Sequence, residues 1–272
     1  MSKPKAAIDW ETASFRFVFV VLTILAMVFL VTPTAIVLLT SLTASESLKF
    51  PPAGLSLRWY YALLDADQMQ RAAWNSLIVA FWTTLICVVL GTAASLAIAR
   101  ARSTWLRGLD LLFMSPLLLP ALAFGFAALV YINKLGFSPR IEFLVFGHVV
   151  VCVPFVLRTT VASLSQLDPA LFDASQSLGA SWQMTFRKVT LPLIAPGLIA
   201  GAFLAFMASF DNVPVSLFLA DARTEMLPIH LWQQIDTNLD VRTAAASGVI
   251  IIFTLSLMLI AERIAGLTKQ MR

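Results

Sequence analysis

A connection between two long apolar runs, residues 166–192, reads QLDPALFDASQSLGASWQMTFRKVTLP. Asp168 followed by Pro169 predicts the start of a helix, because an aspartate side chain accepts hydrogen bonds from the first free amides and proline suits the first helical position. Gly179 predicts its end, where a left-handed backbone is needed. The resulting helix, residues 169–179, is too short to cross a membrane.

This short helix is predicted to be amphipathic. Its apolar residues fall on one face at helical spacing, namely Leu171, Ala174 and Leu178. Its polar residues fall elsewhere. A helix of this kind suits the surface of a membrane protein, with one face available to a partner.

The rest of the chain predicts an all-α polytopic membrane protein. Of its 272 residues 59% are hydrophobic and 12% are charged, whereas soluble domains carry about 25% charged residues. A membrane helix needs about 20 apolar residues, and six runs bounded by charges meet that need: 17–42, 74–99, 111–133, 143–165, 189–211 and 243–262. The fourth run is the shortest between charges, so we expect its helix to continue past Arg158, whose side chain would reach the headgroups. We expect one membrane domain, residues 1–272.

Basic residues predict the orientation of the chain. Placed on alternate sides of the six runs, the nineteen Lys and Arg residues divide twelve to seven. The richer side, which holds both termini and the 166–192 connection, is predicted to be cytoplasmic. We therefore expect the chain to cross its membrane several times with both termini on the cytoplasmic side.

The 166–192 connection resembles the cytoplasmic signature of binding-protein-dependent ABC importer permeases of type I. That signature is Glu-Ala-Ala, three residues, Gly, nine residues, then Ile-x-Leu-Pro. The matching positions here are Asp173, Ala174, Ser175, Gly179, Val189, Leu191 and Pro192. Asp173, Ser175 and Val189 depart from it conservatively, and every spacing fits. Ser209-Phe210-Asp211 with Leu217-Phe218-Leu219 is similar to the spermidine/putrescine branch of these permeases.

The resemblance implies a location in a bacterial inner membrane, a set of partners and a role in coupling to ATP hydrolysis. The partners are a dimer of ATP-binding-cassette ATPases, a second homologous permease, an external solute-binding protein, a small-molecule substrate and the lipid bilayer. The ATPase-coupling residues would be Asp173, Ala174, Ser175, Leu178, Gly179, Leu191 and Pro192. ATP and Mg²⁺ would be bound by the ATPase, so that this chain has no cofactor and is not an enzyme. In agreement, the sequence has no G-x-x-x-x-G-K-[ST] motif.

Two residues at the end of the fifth run, Asp211 and Asn212, are candidates for the substrate pathway. The 21 steps from Thr190 to Asp211 measure about 32 Å in a helix, which puts the carboxylate at the outer boundary of the membrane. A carboxylate there would attract a cationic solute. The alternative is a solvated helix end without a role in transport.

Several alternatives remain open at this stage. A polyamine is the expected cargo, and an opine, a phosphonate or another small organic solute is the runner-up. An intramembrane enzyme or an assembly protein is more distant, because the runs hold no usable catalytic or metal-ligand cluster. Isolated His148 and His230 are interpreted as satisfied polar groups. Nucleic acid is excluded as a partner, because the basic residues form no stripe.

Overall fold

A computed structural model describes residues 10–99, 104–237 and 240–266. Apart from one isolated bridge between Thr43 and Leu55, these residues form helices and connections. The helices are α1 Trp10–Ser41, α2 Arg58–Ala62, α3 Asp67–Ala99, α4 Thr104–Leu118, α5 Ala121–Lys134, α6 Ile141–Ser165, α7 Ala170–Ser177, α8 Trp182–Thr185, α9 Leu191–Phe210, α10 Val213–Leu219, α11 Leu227–Thr237 and α12 Val241–Ala265. A 3₁₀ turn, Leu63–Asp65, follows α2, and a π-helical turn, Phe186–Thr190, joins α8 to α9.

Five of the described helical segments are long and apolar enough to cross a membrane: Ser14–Ser41, Asp67–Ala99, Ile141–Ser165, Trp182–Phe210 and Val241–Ala265. Each overlaps one of the runs found in the sequence. The chain is thus an all-α polytopic membrane protein. Both chain ends, which we expect on the cytoplasmic side, lie outside the described residues.

The remaining run, 111–133, is broken. Asp110–Leu118 and Ala121–Lys134 meet at an angle of 103°, where a single span was expected. Pro120 stands at the break with φ −58° and ψ 119°, and a proline without an N–H group cannot continue the hydrogen bonds of the preceding helix. The pair forms either one broken span or a re-entrant loop.

By its contacts the chain falls into two compact units, Met1–Leu63 with Leu239–Ile251, and Leu64–Asn238 with Ile252–Arg272. In the first unit α1 is exposed along nearly all of its described length. At its end Ser41 Oγ lies 2.7 Å from Tyr60 Oη of α2. The Trp59 indole N–H donates to the Ser45 carbonyl over 3.2 Å. These bonds hold α2 against the end of α1.

The second unit is built on α3, α6 and α9, which pack closely where glycines replace side chains. A Cβ at Gly91 of α3 would lie 2.9 Å from the Val156 side chain of α6. On α9, a Cβ at Gly197 would lie 2.7 Å from the Thr159 carbonyl, and one at Gly201 would lie 2.8 Å from Val156 Cα. Small residues four apart allow two membrane helices to approach this closely.

The expected extension of the fourth span is present, because α6 runs unbroken from Ile141 to Ser165. The Arg158 side chain is more than half exposed, and it also contacts α4. Its Nη1 lies 3.6 Å from Asp110 Oδ2, and its Nε donates to Met114 Sδ over 3.0 Å. Because α4 lies against this end of α6, the Arg158 guanidinium forms an ion pair with the Asp110 carboxylate.

Candidate functional site

The helix α7 has the two ends that its sequence predicts. At its start the Asp168 carboxylate accepts from the Ala170 amide over 2.9 Å. At its end Gly179 has φ 75°. The Gly179 amide donates to the Gln176 carbonyl over 2.8 Å, and the Ala180 amide donates to the Ser175 carbonyl over 3.1 Å. This pair of bonds is the Schellman arrangement, which satisfies the last carbonyls of a helix.

The outward surface of α7 carries an apolar stripe between polar residues. Leu171 is 42% exposed and Leu178 is 88% exposed, and Ala174 between them is exposed as well. Asp173 is also exposed beside this face. Inward, Phe172 is half-buried and Ser175 is buried. The predicted stripe of Leu171, Ala174 and Leu178 is therefore uncovered within the described part of the chain.

A buried hydrogen bond ties α7 to the segment that leads into α9. Ser175 Oγ lies 2.8 Å from Thr185 Oγ1 of α8, and both side chains are buried. The side chain of Ser181 caps α8 by accepting from the Met184 amide over 3.3 Å. Ser175 is one of the predicted coupling residues. Its partner Thr185 was not predicted, because no feature of the sequence distinguishes it.

Leu191 and Pro192 lie at the start of α9, directly after the π-helical turn. Wider turns of this kind occur where the regular bond from residue i to i−4 is interrupted, and Pro192 lacks the N–H group that such a bond needs. The ring of Trp182 stacks on Phe186 with centroids 5.8 Å apart. The structure thus joins Ser175 to the base of α9 through one short, internally bonded segment.

Asp211 and Asn212 form the turn between α9 and α10, at the opposite end of α9. The 20 residues of α9 separate the two groups of candidate residues by about 30 Å, so the structure links them through α9 without bringing them together. The Asn212 side chain caps α10 by accepting from the Val215 amide over 2.9 Å. Its observed contact is therefore structural.

The Asp211 carboxylate has a different setting. Asp211 is exposed on the surface of this chain, and among the described residues no side chain donates a hydrogen bond to its carboxylate. Surrounding protein atoms nevertheless remove part of its water and raise its pKa above the ordinary value. A carboxylate without a partner, at the end of a membrane helix, can attract a cation.

Near this end a second set of polar residues, which sequence reasoning did not assign, holds the loop between α10 and α11. The Asn75 side-chain amide donates to the carbonyls of Arg223 and Glu225, each over 3.1 Å. Ser76 Oγ accepts from the Leu227 amide over 2.8 Å. The loop itself is a turn around Asp221, whose pKa is lowered, most strongly by the hydrogen bond from the Thr224 hydroxyl.

Both histidines have polar neighbours. His148 is fully buried, and each ring nitrogen lies within hydrogen-bonding distance of a serine hydroxyl, which confirms its interpretation as a satisfied polar group. For His230 the same interpretation is wrong, because its buried Nδ1 makes no hydrogen bond with any described residue. The Glu225 Oε2 atom lies 3.4 Å from it. That carboxylate also accepts from Gln68 Nε2 over 3.1 Å.

The chain is similar to known transport proteins. Residues 89–269 match the family described as "Binding-protein-dependent transport system inner membrane component". The chain is 27% identical, over 211 residues, to the spermidine/putrescine transport system permease protein PotC of Haemophilus influenzae, covering 78% of this chain and 82% of that protein. It is 29% identical, over 219 residues, to the molybdenum transport system permease protein ModB of Mycobacterium bovis, covering 75% and 83%.

Solved structures share the fold. A bacterial ABC transporter involved in the import of the acidic polysaccharide alginate aligns with a TM-score of 0.71 at 14% identity, covering 97% of this chain and 99% of that chain. At this level of identity the likeness concerns the fold alone.

Proposed function

The chain belongs to the family of binding-protein-dependent transport system inner membrane components, and from that premise we propose that it forms half of the membrane pathway for a small cationic solute of the polyamine class. It is a permease subunit of an ABC importer. The observation that carries its role in coupling is the uncovered apolar stripe on α7, which ends in a Schellman arrangement at Gly179.

Coupling to ATP hydrolysis occurs at α7. Leu171, Ala174 and Leu178 enter a groove on an ATPase subunit, because an exposed apolar stripe on a short helix gains free energy when a partner covers it. Asp173 lies at the rim of this contact. The hydrogen bond between Ser175 and Thr185 carries the movement of α7 into α8 and the base of α9. ATP and Mg²⁺ are bound by the ATPase.

In the membrane, α7 and both chain ends lie on the cytoplasmic side, and Asp211 lies on the outer side. The distribution of Lys and Arg supports this orientation. The broken pair α4 and α5 counts as one span, which gives six spans. A second permease subunit completes the pathway, and an external solute-binding protein delivers the substrate on the side of Asp211.

The choice of a polyamine rests on two observations. The first is the similarity to PotC, a spermidine/putrescine permease protein. The second is the Asp211 carboxylate, which stands where α9 ends and accepts no side-chain hydrogen bond from the described part of the chain. The similarity to ModB, a molybdenum permease protein, favours an anionic cargo instead, and a carboxylate at the outer end of α9 would repel an anion.

The test uses the whole importer, purified with its ATPase and second permease and reconstituted in lipid vesicles with its binding protein. Radiolabelled spermidine, putrescine and molybdate are offered separately, with and without ATP. ATP-dependent uptake of a polyamine is expected. Uptake of molybdate but of neither polyamine would overturn the proposed substrate, and a lack of ATP-dependent uptake of any solute delivered by the binding protein would overturn the transport role itself.

A further inference from the structure

The buried imidazole of His148 connects three helices of the second unit. His148 belongs to α6, and its Nδ1 lies 2.8 Å from the hydroxyl of Ser209 in α9. Its Nε2 lies 3.0 Å from the hydroxyl of Ser216 in α10. All three residues are completely buried. A neutral imidazole has one donor and one acceptor, and a serine hydroxyl can be either, so the three groups satisfy one another in either tautomer.

The two serines flank the outer turn. Ser209 lies two residues before Asp211, and Ser216 lies four residues after Asn212. The single imidazole therefore holds both arms of the turn that presents the Asp211 carboxylate. Apolar contacts have no preferred direction, whereas hydrogen bonds require alignment of their atoms. The imidazole thus fixes how the end of α9 is oriented relative to α10.

Close packing of α10 supports the same conclusion independently. A Cβ at Gly147, beside His148, would lie 2.7 Å from Leu219 Cδ1 of α10. A Cβ at Gly125 of α5 would lie 2.9 Å from the Pro214 carbonyl. Gly125 and Gly147 thus let α10 pack directly against the backbones of α5 and α6. This packing places α10, and the imidazole fixes the orientation of α9 relative to it.

We propose that His148 is a positioning residue for the substrate pathway: through Ser209 and Ser216 it holds the outer turn so that Asp211 meets the solute in a fixed geometry. The proposal rests on the proposed function, in which Asp211 contacts a cationic solute. Its structural part, that the imidazole fixes the turn, holds for any cargo and can be measured separately.

The decisive variant replaces all three polar groups, as His148→Leu/Ser209→Ala/Ser216→Ala. Replacing only His148 would leave two buried hydroxyls without a partner, which destabilises a protein, whereas replacing all partners with apolar groups can be nearly neutral. The triple variant therefore keeps the core apolar and removes only the directional bonds. Ser256→Ala is the control, because the Ser256 hydroxyl donates to the Ile252 carbonyl of its own helix.

The first measurement is amide hydrogen exchange of residues 207–218 in the reconstituted importer. Exchange in the triple variant should rise by about tenfold, as expected for the loss of two hydrogen bonds that each stabilise the turn modestly. Ser256→Ala should leave this segment unchanged. Unchanged exchange in a triple variant that assembles with its partners would overturn the positioning role, and so would failure of the variant to assemble, because the network would then be needed for folding.

The second measurement is uptake of the solute that the binding protein delivers. The triple variant should show a KM raised by at most about tenfold, the limit that is reached when the open turn predominates. ATP hydrolysis should still be stimulated by the binding protein. His148→Gln, which keeps one donor and one acceptor, should recover part of the loss. A raised exchange rate with unchanged uptake would refute the link to the pathway while leaving the importer function intact. Loss of uptake in the parent protein would refute the proposed function instead.

Discussion

Gly179 provides the sharpest test of the coupling role, because its substitution by alanine changes mainly the conformational free energy of the backbone. Its φ of 75° lies in the left-handed region, which costs a residue with a side chain about 1–2 kcal/mol. A Cβ placed on Gly179 would meet no atom within 4 Å. The cost of Gly179→Ala is therefore conformational, and it lowers the ratio of the capped to the uncapped end of α7 about 5- to 30-fold.

Three substitutions should fall in a definite order. Gly179→Asn should be mildest, because asparagine tolerates the left-handed region better than other residues. Gly179→Ala should weaken ATPase binding by at most about 5- to 30-fold, since bound ATPase would select the capped form. Gly179→Pro should abolish coupling, because proline requires φ near −65° and removes the amide that bonds to the Gln176 carbonyl.

Gly136 offers a matched control on the same chain. It has φ 78°, and a Cβ there would also meet no atom within 4 Å, so alanine and proline impose the same kind of backbone cost after α5. The assays are copurification of the ATPase and the ratio of solute imported to ATP hydrolysed in vesicles. Equal effects at Gly136 and Gly179, or normal import by Gly179→Pro, would refute the reasoning.

Three further outcomes are expected. Ala174→Arg should reduce import by more than about tenfold, because an unpaired charge would be buried in the ATPase groove, while the subunit remains in the membrane. Normal ATPase copurification and normal import would contradict this prediction. Asp211→Asn should slow import of a cationic solute and remove the pH dependence of import. In the parent, import should fall as the outer pH is lowered, and the fall should begin above the range of an ordinary aspartate because partial loss of water raises the pKa of Asp211. Equal uptake curves for the two proteins would remove the residue from the pathway. In a background without native cysteines, a membrane-impermeant thiol reagent on intact cells or spheroplasts should label Asp221→Cys and miss Gln183→Cys, and the reverse would invert the topology.

Local features of the sequence determined much of the fold. The long apolar runs predict membrane helices, because a helix forms all its backbone hydrogen bonds within one segment and lipid supplies none. The ends of α7 also follow from single residues, since Asp168 and Gly179 act on amides and carbonyls within a few positions. The stripe of Leu171, Ala174 and Leu178 follows from helical spacing.

Other features depend on residues far apart in the chain, and only the tertiary structure decided them. The 103° break between α4 and α5 was not expected from the apolar run 111–133, because a proline interrupts a helix without determining the angle of the next segment. The pairing of Arg158 with Asp110 required α4 to lie beside α6. No spacing rule connects His148 to serines 61 and 68 positions away. These contacts arise when helices pack, because glycines on α5, α6 and α9 let backbones approach closely enough for particular side chains to meet.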